Sequence, residues 1–255
     1  NSTINKELED TYGVFAKCAV GEDGSETIEN DKIRVTISRK GGRVNSVILK
    51  EYKTYDSLSL DLFNADSSKF NLQFSTGHNI NTSELYFYPE YINNKLSMKL
   101  ILNENSYIEY LYSIYDDYIV DLDINIIGME QLVASNVNYM NLEWQMHTPQ
   151  TEKSKSNQDM YTGIQYQYTT DDEVDYLSFT SDDEEKIKSK INWVAFKQQF
   201  FSAIIISNSG FEKPTYLESK KNDNSKFIKD LYAKFEIPYT HKNKEQVNLK
   251  FYFGP

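Results

Sequence analysis

The densest group of reactive side chains is Glu143-Trp144-Gln145-Met146-His147, which puts an acid, an aromatic platform and an imidazole on one short segment. In a strand, successive side chains point to opposite faces. Glu143, Gln145 and His147 would then share one face, and Trp144 and Met146 the other. A polar face of this kind could serve a sugar-binding or epimerising site, with acid and base flanking a ring stacked on an aromatic. The simpler reading is a sheet edge with a buried tryptophan. A second group is the polar triplet Lys197-Gln198-Gln199, which interrupts the apolar run from Trp193 to Ile206. It marks either an interaction patch or, more simply, a bulge or bend in a long strand whose Val194, Phe196, Phe200 and Ile204 line one side.

Other chemistries find few residues. His78, His147 and His241 stand apart, Cys18 is the sole cysteine, and no His-x-x-x-His or paired-cysteine spacing occurs, so neither a metal site nor a cofactor is expected. There is no Gly-x-Ser-x-Gly elbow, and Gly41-Gly42 is too short for a phosphate loop. The acidic stretch Asp171 to Lys190, with Asp182-Asp183-Glu184-Glu185-Lys186 inside it, reads as a solvated loop. No residue is assigned a catalytic role, but paired carboxylates stay open in a chain with 38 acids, because the separation that matters is spatial.

The elements that must position these groups are strands. Tyr, Phe and Trp make up 14% of the 255 residues, and such side chains cover pleated, half-buried surfaces well. Period-two alternation begins at Thr27: Ile33, Val35 and Ile37 point one way and Lys32, Arg34 and Thr36 the other. Gly41-Gly42 supplies a turn and Val44 to Leu49 returns, which makes a hairpin. Lys95 to Leu102, Tyr107 to Tyr115 and Tyr118 to Ile127 form a meander, and further strands follow to Phe253. The pattern predicts an all-β protein, a large antiparallel sandwich with few short helices. Residues 1–26 read as an irregular N-terminal arm and 27–255 as a single β domain.

The net charge of −11 argues against nucleic acid and against anionic lipid as partners. No apolar run approaches the roughly 20 residues of a spanning helix. The chain opens on Asn1 without a signal-peptide pattern, as a mature protein or an excised piece would.

The run Trp193-Val194-Ala195-Phe196-Lys197-Gln198-Gln199-Phe200-Phe201 resembles a pattern near the end of the large periplasmic domain of YidC-type membrane-protein insertases of the Oxa/YidC/Alb family. Three other places are similar to that domain: the Thr27 to Val44 hairpin with its two glycines, Val174-Asp175-Tyr176-Leu177, and the closing Tyr252-Phe253-Gly254-Pro255. Between Phe70 and Gln158 no motif carries the resemblance.

The resemblance implies a β-supersandwich akin to galactose-mutarotase-like folds. It also implies a place on the periplasmic side of a bacterial inner membrane, between the first and second transmembrane segments, anchored by helices this sequence does not contain. The implied partners, reached through the parent protein, are nascent membrane proteins and Sec translocon subunits. The domain itself would be a non-catalytic scaffold whose groove could take a peptide or a lipid-like chain. The alternative is a carbohydrate-binding or carbohydrate-active β-sandwich using Glu143, Gln145 and His147.

Overall fold

Alternating apolar side chains need a second apolar surface to cover them, and here most of the chain supplies it to itself. The computed structural model describes residues 6–64, 67–224 and 226–255. A four-stranded antiparallel sheet holds β1 (Ser25–Glu29), β2 (Ile33–Ser38), β3 (Val44–Lys53) and β4 (Ser59–Phe63) in sequence order. The turn between β2 and β3 has Gly41 and Gly42 at φ of +84° and +61°, and a Cβ on Gly42 would meet the Phe87 ring at 2.7 Å. Glycine is required there both by backbone angle and by space.

The second sheet has 14 strands. Its main path runs β6 (Asn79–Asn81), β5 (Ser68–Ser75), β11 (Tyr139–Pro149), β17 (Phe227–Pro238) and β16 (Ser202–Lys221). It continues through β18 (Lys244–Gly254), β10 (Ile119–Ile127), β9 (Ser106–Ile114), β8 (Lys95–Asn103) and β7 (Tyr88–Ile92). Off this path, β12 (Gly163–Tyr168) pairs with β13 (Val174–Tyr176) and with β15 (Ile191–Lys197), and β14 (Asp183–Ile187) pairs with β16.

The 20-residue β16 belongs to two layers. Its first part, from Ser202, pairs with β15 and β18, and its second part, from Glu212, pairs with β17 and, from Thr215, with β14. The register shifts between Glu212 and Thr215, close to Gly210 at φ +78°, and a bulge of this kind lets a strand change direction. The sheet thereby folds back on itself. Trp144 of β11 stacks on Phe196 of β15 at 3.9 Å between centroids and lies 5.9 Å from Phe251 of β18, neither of them an adjacent strand. Phe70 of β5 meets Tyr110 and Phe251 in the same interior. The small sheet adds Phe63 against Phe253, and the Tyr112 hydroxyl donates to the Gly42 carbonyl at 2.8 Å. The result is an all-β antiparallel sandwich with one continuous core.

Three expectations need correction. Within the expected arm, residues 6–26 are not irregular: Lys6–Tyr12 is helical (α1), Gly13–Ala19 is a 3-10 turn, and β1 already begins at Ser25. Residues 1–5 of that arm lie outside the described residues. Phe15 is fully buried against Phe74, and Cys18 is buried with its thiol toward the Ile101 carbonyl, so this segment plugs the core through side chains that show no period. The acidic Asp171 to Lys190 stretch contains two strands, β13 and β14, at sheet edges where exposed charge is tolerated and guards against unwanted pairing.

The run from Trp193 to Ile206 is not one bulged strand. It is a hairpin, β15 to β16, turned by residues 198–201 and closed by the Gln198 amide donating to the Phe201 carbonyl at 2.8 Å. The turn resets the alternation, so Ala203 and Ile205 are buried while Phe200 is 59% exposed.

Trp144 is buried on both flanks by rings, so Trp144→Ala is expected to destabilise the protein by about 3–5 kcal/mol through lost burial and a residual cavity. Equilibrium urea unfolding followed by far-UV circular dichroism measures this, and a loss below about 1 kcal/mol would mean the stack is not the centre of the core.

Candidate functional site

The alternation expected for Glu143 to His147 is present: Trp144 and Met146 are buried, and Glu143, Gln145 and His147 are half-exposed on the opposite face of β11. The strand is interior, however, with β5 on one side and β17 on the other, and is not a sheet edge. Antiparallel register lays the polar face out in cross-strand rows. One row reads Asn71, Glu143, Lys234, Tyr216, Lys186, the next Lys69, Gln145, Tyr232, Glu218, Glu184, and a third His147, Asp230, Lys220.

Glu143 is held from both sides. Asn71 Nδ2 donates to one carboxylate oxygen at 2.9 Å and the Tyr232 hydroxyl to the other at 2.8 Å. Burial pushes the Tyr232 phenol above its ordinary value of 10.0, and its hydrogen bond to Glu143 pushes it further. The Tyr216 hydroxyl, with one proton to give, lies 2.8 Å from a Glu184 carboxylate oxygen and 3.1 Å from one of Glu218, and its ring packs edge-on against Tyr232. His147 is paired separately: its Nδ1 meets Asp230 Oδ1, to which Asn222 also donates, and its ring lies 5.5 Å from that of Phe227.

Glu143 and His147 stand four residues apart on one strand, so their backbones are about 13 Å apart at 3.3 Å per residue. Their separate partners draw them to different rows. This spacing does not place an acid and a base on one sugar ring, which general acid–base catalysis at a single centre would need.

The Lys197, Gln198 and Gln199 triplet sits at the β15–β16 turn. Lys197 is half-buried at the end of β15, whereas Gln198 is 1% exposed. Its amide donates to the Leu62 carbonyl of β4 at 3.2 Å and accepts from Gln158 Nε2 at 3.4 Å. Gln158, in α2 (Lys155–Tyr161), in turn accepts from the Thr151 and Glu152 amides and donates to the Pro149 carbonyl. The two glutamines bracket the small sheet, the turn and α2 together, so the Gln198 side chain is spent on the fold and is not offered to a partner.

Sequence reasoning missed a buried cation. Lys229 of β17 is 5% exposed and donates to the carbonyls of Asp159, Thr162 and Phe179 at 3.2, 2.8 and 2.6 Å, with an Asp159 carboxylate oxygen at 3.4 Å. Burial lowers its pKa, which the Asp159 charge partly offsets. The signal was a lysine at an inward position of an alternating strand. It ties α2 and the Phe179 loop to the sheet and has no free face for chemistry.

An open cleft of about 450 Å³ lies beyond the other end of β11, lined by the side-chain amides of Gln73, Asn79, Asn136, Asn138 and Asn141 with Phe74 and Tyr139. It carries no titratable carboxylate, amine or imidazole. Among the described residues no group of three or more His, Cys, Asp or Glu could hold a metal ion.

Solved structures with the same architecture include a galactose mutarotase-like protein from Lactobacillus casei, at a TM-score of 0.57 and 10% identity, covering 90% of this chain and 100% of that one. A putative aldose 1-epimerase from Escherichia coli K12 follows at 0.54 and 8% identity, over 91% of this chain and 99% of the other. The fold is therefore that of the galactose-mutarotase-like β-sandwiches, a likeness of backbone that carries no activity with it. Residues 26–255 match the model of the YidC periplasmic domain, and the chain belongs to that family. Curated relatives include the membrane protein insertase YidC of Parabacteroides distasonis, 36% identical over 260 residues, which takes in all of this chain and 41% of that protein. Its counterpart from Bacteroides fragilis is 32% identical over 251 residues, 96% of this chain and 40% of the relative. The chain thus spans about two-fifths of the length of these relatives. No helix among the described residues is long and apolar enough to cross a membrane.

Two measurements check this assignment of the polar face to structure. The raised Tyr232 pKa means that its contribution to stability is complete below pH 10 and is lost as the pH climbs through the folded value. Glu143→Gln is expected to lower the Tyr232 pKa while leaving it above 10, since burial is the larger cause, and ring-labelled tyrosine NMR across an alkaline titration reads the shift directly. Separately, Gln198→Ala should cost about 1–3 kcal/mol by stranding buried partners, against within about 0.5 kcal/mol for Lys197→Ala. Equal effects in urea unfolding would return the triplet to the surface.

Proposed function

We propose that this chain is a non-catalytic, extramembrane scaffold of a longer membrane-protein insertase, on the periplasmic side of a bacterial inner membrane. The observation that carries the reading is the family match over residues 26–255, joined by relatives named membrane protein insertase that are similar along the whole chain. The parent protein would act on nascent membrane proteins, alone or beside Sec translocon subunits, and its insertion step would be non-covalent and lie outside this sequence. The cleft lined by Gln73, Asn79, Asn136, Asn138 and Asn141, with Phe74, Val137 and Tyr139 among them, suits an extended peptide, because each carboxamide offers both a donor and an acceptor to a peptide backbone and the apolar residues can cover its side chains.

The carbohydrate reading has the fold in its favour and the spacing of Glu143 and His147 against it. Polarimetry of freshly dissolved glucose and galactose with the purified chain is expected to show anomerisation at the buffer rate. An acceleration that disappears in Glu143→Gln or His147→Ala would replace the scaffold reading with an enzymatic one. For the parent protein, protease added to intact spheroplasts should degrade this segment, and protection until lysis would contradict the periplasmic side.

A further inference from the structure

Strand register collects four chain segments at one end of the sandwich. Tyr55 in the β3–β4 turn donates its amide to the Thr151 carbonyl, which precedes α2. Tyr52 packs edge-on against Phe201 of the β15–β16 turn at 5.2 Å. Gln198 of that turn is bonded to Gln158 of α2. Ser202, the next residue after the turn, pairs with Gly254, so Pro255 lies at the same end.

These segments expose a disproportionate share of large apolar surface. Leu58 is 64% exposed, Phe200 59%, Tyr55 55%, Met160 54% and Tyr161 48%. All five lie in turns or on the short α2, and their exposure serves no packing within the chain. Charge at this end is balanced. Over residues 51–58, 150–161 and 197–201, Lys53, Lys153, Lys155 and Lys197 balance Glu51, Asp56, Glu152 and Asp159, whereas the whole chain carries −11. Tyr115 is also exposed on this side but stands next to Asp116 and Asp117, which marks the acidic border of the patch.

We infer that this electroneutral apolar tip, centred on Leu58 and Phe200, rests in the headgroup layer of a lipid bilayer. The inference rests on the proposed reading that the parent protein is held in a membrane. Tyr55 and Tyr161 suit that layer, because the apolar ring can enter while the hydroxyl stays wet, and Leu58, Phe200 and Met160 add purely apolar area beside them. Charge balance matters as much as apolarity, since a net charge of −11 is repelled by anionic lipid and the balanced charges of these segments relieve that repulsion where they meet the surface. With the domain tethered, even a shallow contact is held by high effective concentration, and its consequence is orientation: the amide-lined cleft at the other end of β11 is turned toward the aqueous side.

The test uses the full-length parent protein in nanodiscs of phosphatidylethanolamine and phosphatidylglycerol. Leu58→Cys, Phe200→Cys and, at the opposite end, Glu104→Cys each receive a nitrobenzoxadiazole label, with any cysteines of the parent outside this chain replaced. Cys18 stays unlabelled, being 2% exposed with a thiol pKa pushed up to about 11 by burial. Expected are blue-shifted emission and at least about twofold quenching by headgroup-proximal spin-labelled lipid at positions 58 and 200, with neither at 104. Equal, water-like emission at all three sites overturns the inference, as does blue-shifted emission at 58 and 200 that lipid spin labels leave unquenched, which would identify a protein surface as the occupant. Circular dichroism of each labelled protein shows that it is folded. Recovery of the parent in the soluble cell fraction is a separate outcome: it removes the insertase reading, and this inference with it.

Discussion

A sheet buries one face only if something apolar is laid on it, and in this protein that requirement falls on a single strand. β16 is hydrogen-bonded to β15 and β18 over its first part and to β17 and β14 over its second, so the same backbone ends one layer and begins the next. Without the change of register between Glu212 and Thr215 the sheet would stay open, and Trp144 would have neither Phe196 nor Phe251 to stack on. Stacked rings at 3.9 Å add to the area they bury. Much of the core, and the placement of β11 that fixes the polar face, depends on that fold-back.

The polar groups that look most reactive in sequence are arranged to hold strands and loops together. Glu143 spends both oxygens on Asn71 of β5 and Tyr232 of β17, and His147 is matched to Asp230 across the same pair of strands. Gln198 and Lys229 do comparable work indoors, each satisfying backbone carbonyls that the strand ladders leave unpaired. Kinship of fold with mutarotases, at 8–10% identity, therefore coexists with a face on which Glu143 and His147 are held about 13 Å apart by separate partners. Membership of the YidC periplasmic family accounts for this chain better than the chemistry of its structural neighbours does.

Some of the architecture was legible because its signals are local. The Gly41-Gly42 hairpin, the β8–β9–β10 meander and the facing of Glu143, Gln145 and His147 all follow from turn chemistry or from a period of two. The N-terminal segment was not legible, because Phe15 and Cys18 plug the core from a short helix and a 3-10 turn without any periodic pattern. The β15–β16 hairpin was misread as one strand because its turn carries Phe200 and Phe201 in place of the usual glycine or proline, leaving no punctuation in the text.

Residue types and spacing by themselves determined that this is an acidic, aromatic-rich, antiparallel β protein and, through the Trp193 to Phe201 and Tyr252 to Pro255 segments, which family it resembles. Only the tertiary structure decided which carboxylates have partners, that Gln198 is buried rather than displayed, and that Leu58, Phe200 and Met160 crowd one charge-balanced end. The physical reason is distance along the chain. Alternation and turns are written within about ten residues, whereas the partner of Gln198 lies 136 residues away and that of Tyr232 lies 89 away, and such pairings exist only once the sheet has folded back on itself.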